Sequence, residues 1–197
     1  MTTKLLPHLT ICGLDELGDH SGRAVTHVLS ILDPNWPEPE AFFTYDPHHR
    51  TEMHFTDAIE PGPGIELPQI HHVEEILAFG DGFQRDLAAR GEAHLLIHCH
   101  AGISRSSAAM TTLLVQAEPE ETEERIFGRL VAIRPQAWPN SLMIGFADEL
   151  LGRGGKLIAA LRRHYGRRLA IRPELAEVMR GLNRAREVEM AVMPERS

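Results

Sequence analysis

The chain has 197 residues, a formal net charge of −8 and 43% hydrophobic residues. This length is enough for a domain with a sizeable core, and the acidic balance argues against nucleic acid or an anionic membrane surface as a partner. Two cysteines, Cys12 and Cys99, are too few for a disulfide framework, so we expect a reducing compartment and a cytoplasmic protein. We expect neither a signal peptide nor a membrane span.

Three short segments predict strands in the first part of the chain. They cover residues 8–12, 24–32 and 50–55, and the second is rich in β-branched residues. A proline-rich loop, residues 33–40, follows the second run. Alternating Pro and Gly predict an irregular loop over residues 60–68, which we expect to act as a lid or to shape the rim of a pocket.

Helical spacing of apolar residues predicts a helix over residues 68–89, followed by a buried strand over residues 93–97. Further helices are predicted over residues 107–116, 119–133 and 142–151, the last one capped by Asn140 or Ser141.

A glycine-rich stop then indicates a boundary. We therefore predict one domain over residues 1–152 and a helical C-terminal extension over residues 153–197. The extension carries predicted helices at residues 156–165 and 173–183. We interpret the basic cluster at residues 162–172 as a solvated helix face.

The last strand is joined to the next helix by the segment His98-Cys99-His100-Ala101-Gly102-Ile103-Ser104-Arg105-Ser106, called the cysteine loop below. The N–H groups of a tight loop and of a helix N-terminus favour an anion. Arg105 adds a planar fork that matches two phosphate oxygens, and the same groups stabilise a thiolate on Cys99. The loop therefore predicts a tetrahedral oxyanion held above a nucleophilic sulfur.

The cysteine loop resembles the signature of the cysteine-dependent protein tyrosine phosphatases, in particular the dual-specificity-like group. The resemblance rests on the spacing of His98-Cys99 from Arg105-Ser106, on Gly102 inside the loop, and on the flanking strand and helix. It implies an α/β fold with a central, mostly parallel sheet of about four or five strands flanked by helices. No cofactor is implied.

The resemblance also implies a mechanism, phosphomonoester hydrolysis through a phosphocysteine intermediate. Cys99 is the implied nucleophile, Ser106 helps the sulfur leave as a thiolate, and His98 orders the loop and supports the thiolate. The implied phosphate-binding residues are His100, Ala101, Gly102, Ile103, Ser104 and Arg105.

The general acid is implied by position rather than by a motif. In the dual-specificity group a strand before the signature loop ends in an Asp, and Asp57 matches that place, although its separation from Cys99 is longer than the pattern. Glu60 is the alternative acid. Neither Trp-Pro pair matches the Trp-Pro-Asp loop of tyrosine-specific enzymes. Trp36-Pro37 is followed by Glu38 and lies too far upstream, and Trp138-Pro139 lies downstream of Cys99.

Histidine pairs such as His71-His72 and His48-His49 lack a ligand set with metal spacing, so we predict no metal. The resemblance also favours a phosphotyrosine or dual-specificity phosphoprotein as the substrate. Relatives that act on phosphoinositides often carry basic residues inside this loop, and residues 100–104 contain no Lys. A phosphoinositide and a small phosphorylated metabolite remain open as substrates. A phosphate-binding module that does not turn over is the second hypothesis for the function. A sulfurtransferase or an arsenate reductase is the third hypothesis, with Cys12 as the candidate resolving thiol. The oligomeric state is not predicted.

Overall fold

The computed structural model describes residues 7–195. The first six residues, where we expect no signal peptide, lie outside that range. One four-stranded sheet forms from β1 (His8–Cys12), β2 (His27–Leu32), β3 (His49–His54) and β4 (His94–His98), in the order β1-β4-β2-β3. Every neighbouring pair is parallel. The predicted parallel sheet flanked by helices is confirmed.

The helices follow the predicted order, and 3-10 helices at Leu14–His20 and Glu40–Thr44 follow β1 and β2. The α-helices are α1 (Ile70–Arg90), α2 (Arg105–Ala117), α3 (Glu123–Ile133), α4 (Ser141–Leu150), α5 (Lys156–Ile171), α6 (Leu175–Gly181) and α7 (Ala185–Glu189). The short helix α7 was not predicted. Strand β2 begins later than predicted, because Ala24 turns the chain with a positive φ of 50°.

Successive residues of the central strands point to opposite faces of the sheet. Leu29 and Leu95 belong to the larger apolar cluster, which the α-helices complete. Val28 and Leu96 belong to a smaller cluster that includes residues of both 3-10 helices. The sheet is therefore buried on both faces, which explains why its central strands read as continuous apolar runs.

The parallel direction of the strands brings their carboxyl ends to one edge of the sheet. Cys12 pairs with His98 across β1 and β4, and Leu32 pairs with His54 across β2 and β3. The segments that leave these ends therefore start close together, and this edge is where parallel α/β sheets place their sites.

The C-terminal helices pack on the same core. Leu157, Leu161 and Tyr165 of α5 are fully buried in the larger apolar cluster. No helix within residues 7–195 is long and apolar enough to cross a bilayer.

The basic cluster at residues 162–172 finds partners within the chain. Arg163 and Arg167 lie against the Glu124 carboxylate of α3, the latter at 3.0 Å, while Arg168 donates to the Pro135 carbonyl at 2.7 Å. These contacts give the cluster a structural use without any external acidic partner.

Buried histidines should make the fold sensitive to acid. Burial lowers the pKa of His98 to about 3 and that of His164 to about 4, from an ordinary 6.5. Below pH 6.5 the unfolded chain therefore binds protons that the folded chain excludes, down to about pH 4, so stability falls as the pH falls. Each histidine contributes at most about 1.4 kcal/mol per pH unit.

Urea denaturation across this pH window checks the expectation. We expect His164→Gln to show a shallower loss of unfolding free energy than the unmodified chain, because one titrating group is gone. Parallel pH profiles for the two proteins would contradict it.

Candidate active site

The cysteine loop turns its carbonyl groups into the protein. The carbonyl oxygen of His100 accepts a hydrogen bond from Leu14 N, and that of Ile103 accepts one from Trp138 N, both at 2.9 Å. Among the hydrogen bonds of residues 7–195, none is donated by the backbone N–H groups of residues 100–104. These N–H groups are therefore free to bind an anion.

Gly102 lets the loop lie against the end of β1. Its φ of +65° falls in the left-handed region, and a Cβ there would lie 2.4 Å from the carbonyl carbon of Cys12. It would also lie 2.6 Å from Gly13 N, so a larger residue would displace backbone.

Arg134 braces the outer side of the loop, a role that sequence reasoning missed. Its guanidinium donates to Gly102 O at 3.0 Å and to Ala101 O at 3.2 Å. The same group makes a bidentate pair with Glu16, at 2.9 and 2.7 Å. Glu16 in turn accepts from Gly13 N at 2.6 Å, which links the brace to the end of β1.

Cys99 lies at the base of the loop and is only 2% exposed. Its Sγ is 3.2 Å from Ser106 Oγ, at the start of α2. His98 Nε2 lies 2.7 Å from Ser30 Oγ, which fixes the ring. Because burial lowers the pKa of His98 to about 3, the ring is neutral near pH 7 and adds no charge beside Cys99.

Arg105 is 2% exposed, and its contacts fix one side of the guanidinium. Nη1 donates to Asp33 Oδ1 at 2.7 Å and to Phe55 O at 2.5 Å. Nε is buried and has no hydrogen-bond partner among the described residues. The side chain is thus held in place with a donor left over for a ligand. Asp33 was not predicted as a site residue.

Asp57 lies against the cysteine loop, although 42 positions separate it from Cys99 in the sequence. Its Oδ1 accepts from Ser104 Oγ at 2.6 Å and from Asn140 Nδ2 at 3.1 Å. Asn140 also caps α4. The alternative acid Glu60 lies instead 3.2 Å from Arg186 of the C-terminal segment, where it forms an ion pair.

Arg184, just before α7, reaches the same carboxylate from the C-terminal segment. Its Nη1 donates to Ser104 Oγ at 2.7 Å and lies 3.4 Å from Asp57 Oδ1. Glu187 accepts two further hydrogen bonds from this guanidinium, at 2.8 and 2.9 Å. Burial alone would lower the pKa of Arg184, but the Asp57 and Glu187 carboxylates raise it overall, so the side chain stays charged.

Glu187 is fully buried and ties this arginine to the scaffold. It accepts from Trp138 Nε1 at 2.7 Å and from Ser141 N, at the start of α4, at 2.8 Å. Nothing in the linear sequence connects Arg184 or Glu187 with the cysteine loop, which explains why sequence reasoning missed both.

The rim of the site carries an aromatic side chain. The Trp36 ring, 43% exposed, meets the His100 ring edge-on at a centroid distance of 4.3 Å. His100 Nε2 accepts from Asp33 N at 3.2 Å. Burial is the main cause that lowers the pKa of His100, in keeping with a neutral ring that accepts. The rejected Trp36-Pro37 motif therefore still lies beside the loop.

No family model matches the chain. Two curated relatives do: the MAP kinase phosphatase with leucine-rich repeats protein 3 of Dictyostelium discoideum is 26% identical over 161 residues, or 79% of this chain. Dual specificity protein phosphatase 12 of Rattus norvegicus is 33% identical over 92 residues, or 45% of this chain. The chain spans only 16% and 24% of the lengths of these relatives.

Solved structures share the fold. The human tyrosine phosphatase-like serine/threonine/tyrosine-interacting protein matches with a TM-score of 0.55 and 20% identity, over 76% of this chain and 95% of that one. Human DUSP28 matches with a TM-score of 0.52 and 18% identity, over 76% and 97%. The chain has the fold of the cysteine-dependent protein tyrosine phosphatases, and its sequence resembles the dual-specificity group. The resemblance inferred from the cysteine loop is confirmed.

The buried ion pair gives a test of the site's framework. Arg184→Met leaves the Glu187 carboxylate buried without its cation, so we expect the free energy of unfolding to fall by about 3 to 5 kcal/mol. Adding Glu187→Gln removes that unpaired charge and should recover part of the loss.

Urea denaturation of the single and double variants measures both effects. Arg180→Met is the matched control, because Arg180 is exposed on α6 and a surface change alters stability by about 0.5 kcal/mol or less. Equal losses in Arg184→Met and Arg180→Met would contradict the account.

Proposed function

We propose that this chain hydrolyses phosphomonoesters through a phosphocysteine intermediate on Cys99. The observation that carries the proposal is a loop between the buried Cys99 thiol and Arg105 whose N–H groups at residues 100–104 make no hydrogen bond within residues 7–195, together with an Arg105 Nε that has no partner there. A phosphate dianion supplies the acceptors that these donors lack. The names of the two curated relatives, both phosphatases, support the same reading.

The geometry supports a role for each group in the first step. The Cys99 thiolate attacks phosphorus in line, and the S–P bond forms as the bond to the leaving oxygen breaks. Arg105 and the loop N–H groups stabilise the three equatorial oxygens. Asp57, protonated, gives its proton to the leaving oxygen. We assign this proton to Oδ2, because Oδ1 already accepts from Ser104 and Asn140, whereas Oδ2 has only the long 3.5 Å contact with Arg184 Nη1.

The second step returns the enzyme to its starting form. Water attacks phosphorus, Asp57 takes a proton from that water, and the S–P bond breaks to release inorganic phosphate and the thiolate. Ser106 Oγ lies 3.2 Å from Cys99 Sγ and can donate a hydrogen bond to the departing sulfur.

Phosphoproteins are the substrate class that the rim supports. The exposed Trp36 beside His100 offers a face to the ring of a phosphotyrosine. The Asp33 and Asp57 carboxylates flank the loop, and residues 100–104 carry no Lys, which disfavours a multiply phosphorylated inositol headgroup. We propose a phosphotyrosine or dual-specificity phosphoprotein. A reducing compartment such as the cytoplasm suits the two free thiols.

A phosphate-binding module that does not turn over is the second candidate. The ion pair of Asp57 with Arg184, at 3.4 Å, favours it, because this contact gives the Asp57 carboxylate a structural use that needs no proton transfer. Thiol-based reduction gains less support. Cys12 is only 1% exposed. Burial is the main cause that raises the pKa of its thiol to about 12, so the thiol is a poor resolving nucleophile.

Cys99→Ser separates turnover from binding. We expect turnover of an aryl phosphate to be lost while phosphate or vanadate binding stays measurable, because the loop donors remain. A panel of aryl phosphate, phosphopeptides and phosphoinositides, assayed with and without the variant, tests both the activity and the substrate class. Turnover that survives in Cys99→Ser would contradict the proposal, and binding without turnover in the unmodified chain would favour the binding module.

Asp57→Asn tests the acid. We expect turnover of an alkyl phosphate to fall by about 10² to 10⁴-fold, because the leaving oxygen loses its proton donor, and the limb of the pH–rate profile that reports the acid should disappear. Glu60→Gln is the matched control and should leave both unchanged, because Glu60 pairs with Arg186. The reverse pattern would make Glu60 the acid.

A further inference from the structure

Three side chains that can bind a metal meet at the far end of the sheet from Cys99. His27 begins β2 and His49 begins β3, and the two residues are register partners, so their side chains lie on the same face. Asp86 of α1 approaches both from above that face. Each ligand comes from a different element, so linear spacing could not show the group.

The separations of the ligand atoms suit a tetrahedral ion. Asp86 Oδ2 lies 3.3 Å from His27 Nε2 and 3.6 Å from His49 Nε2, and the three ligand atoms lie within 4.8 Å of one another. Zinc binds such atoms at about 2.0 to 2.2 Å, which places tetrahedral neighbours about 3.3 to 3.5 Å apart. A small inward movement of His49 completes the arrangement.

Hydrogen bonds on the other side of the His27 ring orient it. The Thr26 hydroxyl donates to His94 O at 3.1 Å and lies 2.9 Å from His27 Nδ1. Its one proton is therefore used on the carbonyl, so Nδ1 donates to the hydroxyl oxygen and Nε2 presents a lone pair.

That lone pair faces the Asp86 carboxylate, which is also an acceptor, at 3.3 Å, and a cation bound between the two atoms would satisfy both.

The surrounding charges leave the group accessible. Arg90 Nη2 lies 3.9 Å from Asp86 Oδ2 at the edge of ion-pair contact, and the Arg90 side chain is 57% exposed, so it can turn into solvent. Arg50 borders the same cleft but pairs with Glu38 at 2.9 Å and Glu52 at 2.6 Å. Arg85 also borders it.

We propose that His27, His49 and Asp86 form a binding site for a divalent cation of the zinc class, with water in the fourth position. Two imidazoles and a carboxylate are a ligand set for such ions. The ion would join the starts of β2 and β3 to α1 and so stabilise the fold. It lies away from the cysteine loop, so the site does not rest on the proposed phosphatase activity.

The test uses the full-length chain with Cys99→Ser, which removes a competing thiolate. Zn²⁺ is titrated against a chromophoric chelator, and the melting temperature is measured with and without Zn²⁺. His49→Ala and Asp86→Asn are the site variants. His48→Ala is the matched control, since the ring of His48 lies against the Asp46 carbonyl instead. Circular dichroism confirms that each variant folds.

We expect one Zn²⁺ per chain, a melting temperature that rises on Zn²⁺ addition, and binding at least tenfold weaker in both site variants but unchanged in His48→Ala. The proposal is overturned if binding is not saturable near one equivalent, or if His49→Ala and His48→Ala bind alike. A third result would also overturn the proposal: the site variants lower the melting temperature, but Zn²⁺ raises the melting temperature of none of the proteins. The three side chains would then form a hydrogen-bonded cluster that binds no metal.

Discussion

The buried charge of Arg184 is the constraint on which the candidate site depends. A guanidinium placed in the interior costs several kcal/mol unless anions and hydrogen-bond acceptors surround it. Glu187, Asp57 and Ser104 supply them here. These partners come from the C-terminal segment, from the loop after β3 and from the cysteine loop, so one buried cation fixes three separate parts of the chain. The C-terminal segment is thereby part of the framework of the site.

The cysteine loop is held from outside in a comparable way. Arg134 donates to the carbonyl groups of Ala101 and Gly102, Gly102 allows the loop's close approach to β1, and Asp33 fixes the Arg105 side chain. None of these contacts uses the backbone N–H groups of residues 100–104. A loop whose donors are prearranged needs little reorganisation when an oxyanion binds, which is the property that electrostatic catalysis requires.

Local patterns in the sequence predicted local features well. The strands and the helices follow from apolar periodicity, and one motif at residues 98–106 leads to the proposed nucleophile and the proposed phosphate-binding residues. Asp57 was inferred as the candidate acid from the family that the motif resembles and from its position just after a predicted strand. Contacts between distant residues leave no such pattern: Arg184 and Asp57 are 127 positions apart, and Arg134 and Glu16 are 118 apart. The cluster of His27, His49 and Asp86 was missed for the same reason, because parallel strand pairing creates it.

The central claim is that Cys99 becomes covalently phosphorylated during turnover. Rapid acid quenching of the unmodified chain with an aryl phosphate, followed by mass spectrometry of the peptide that contains Cys99, tests this claim most directly. The account predicts a phosphate adduct on the Cys99 sulfur that forms within the first turnover and decays when substrate is exhausted. Release of phosphate with no adduct on Cys99, or an adduct on another residue, would contradict it.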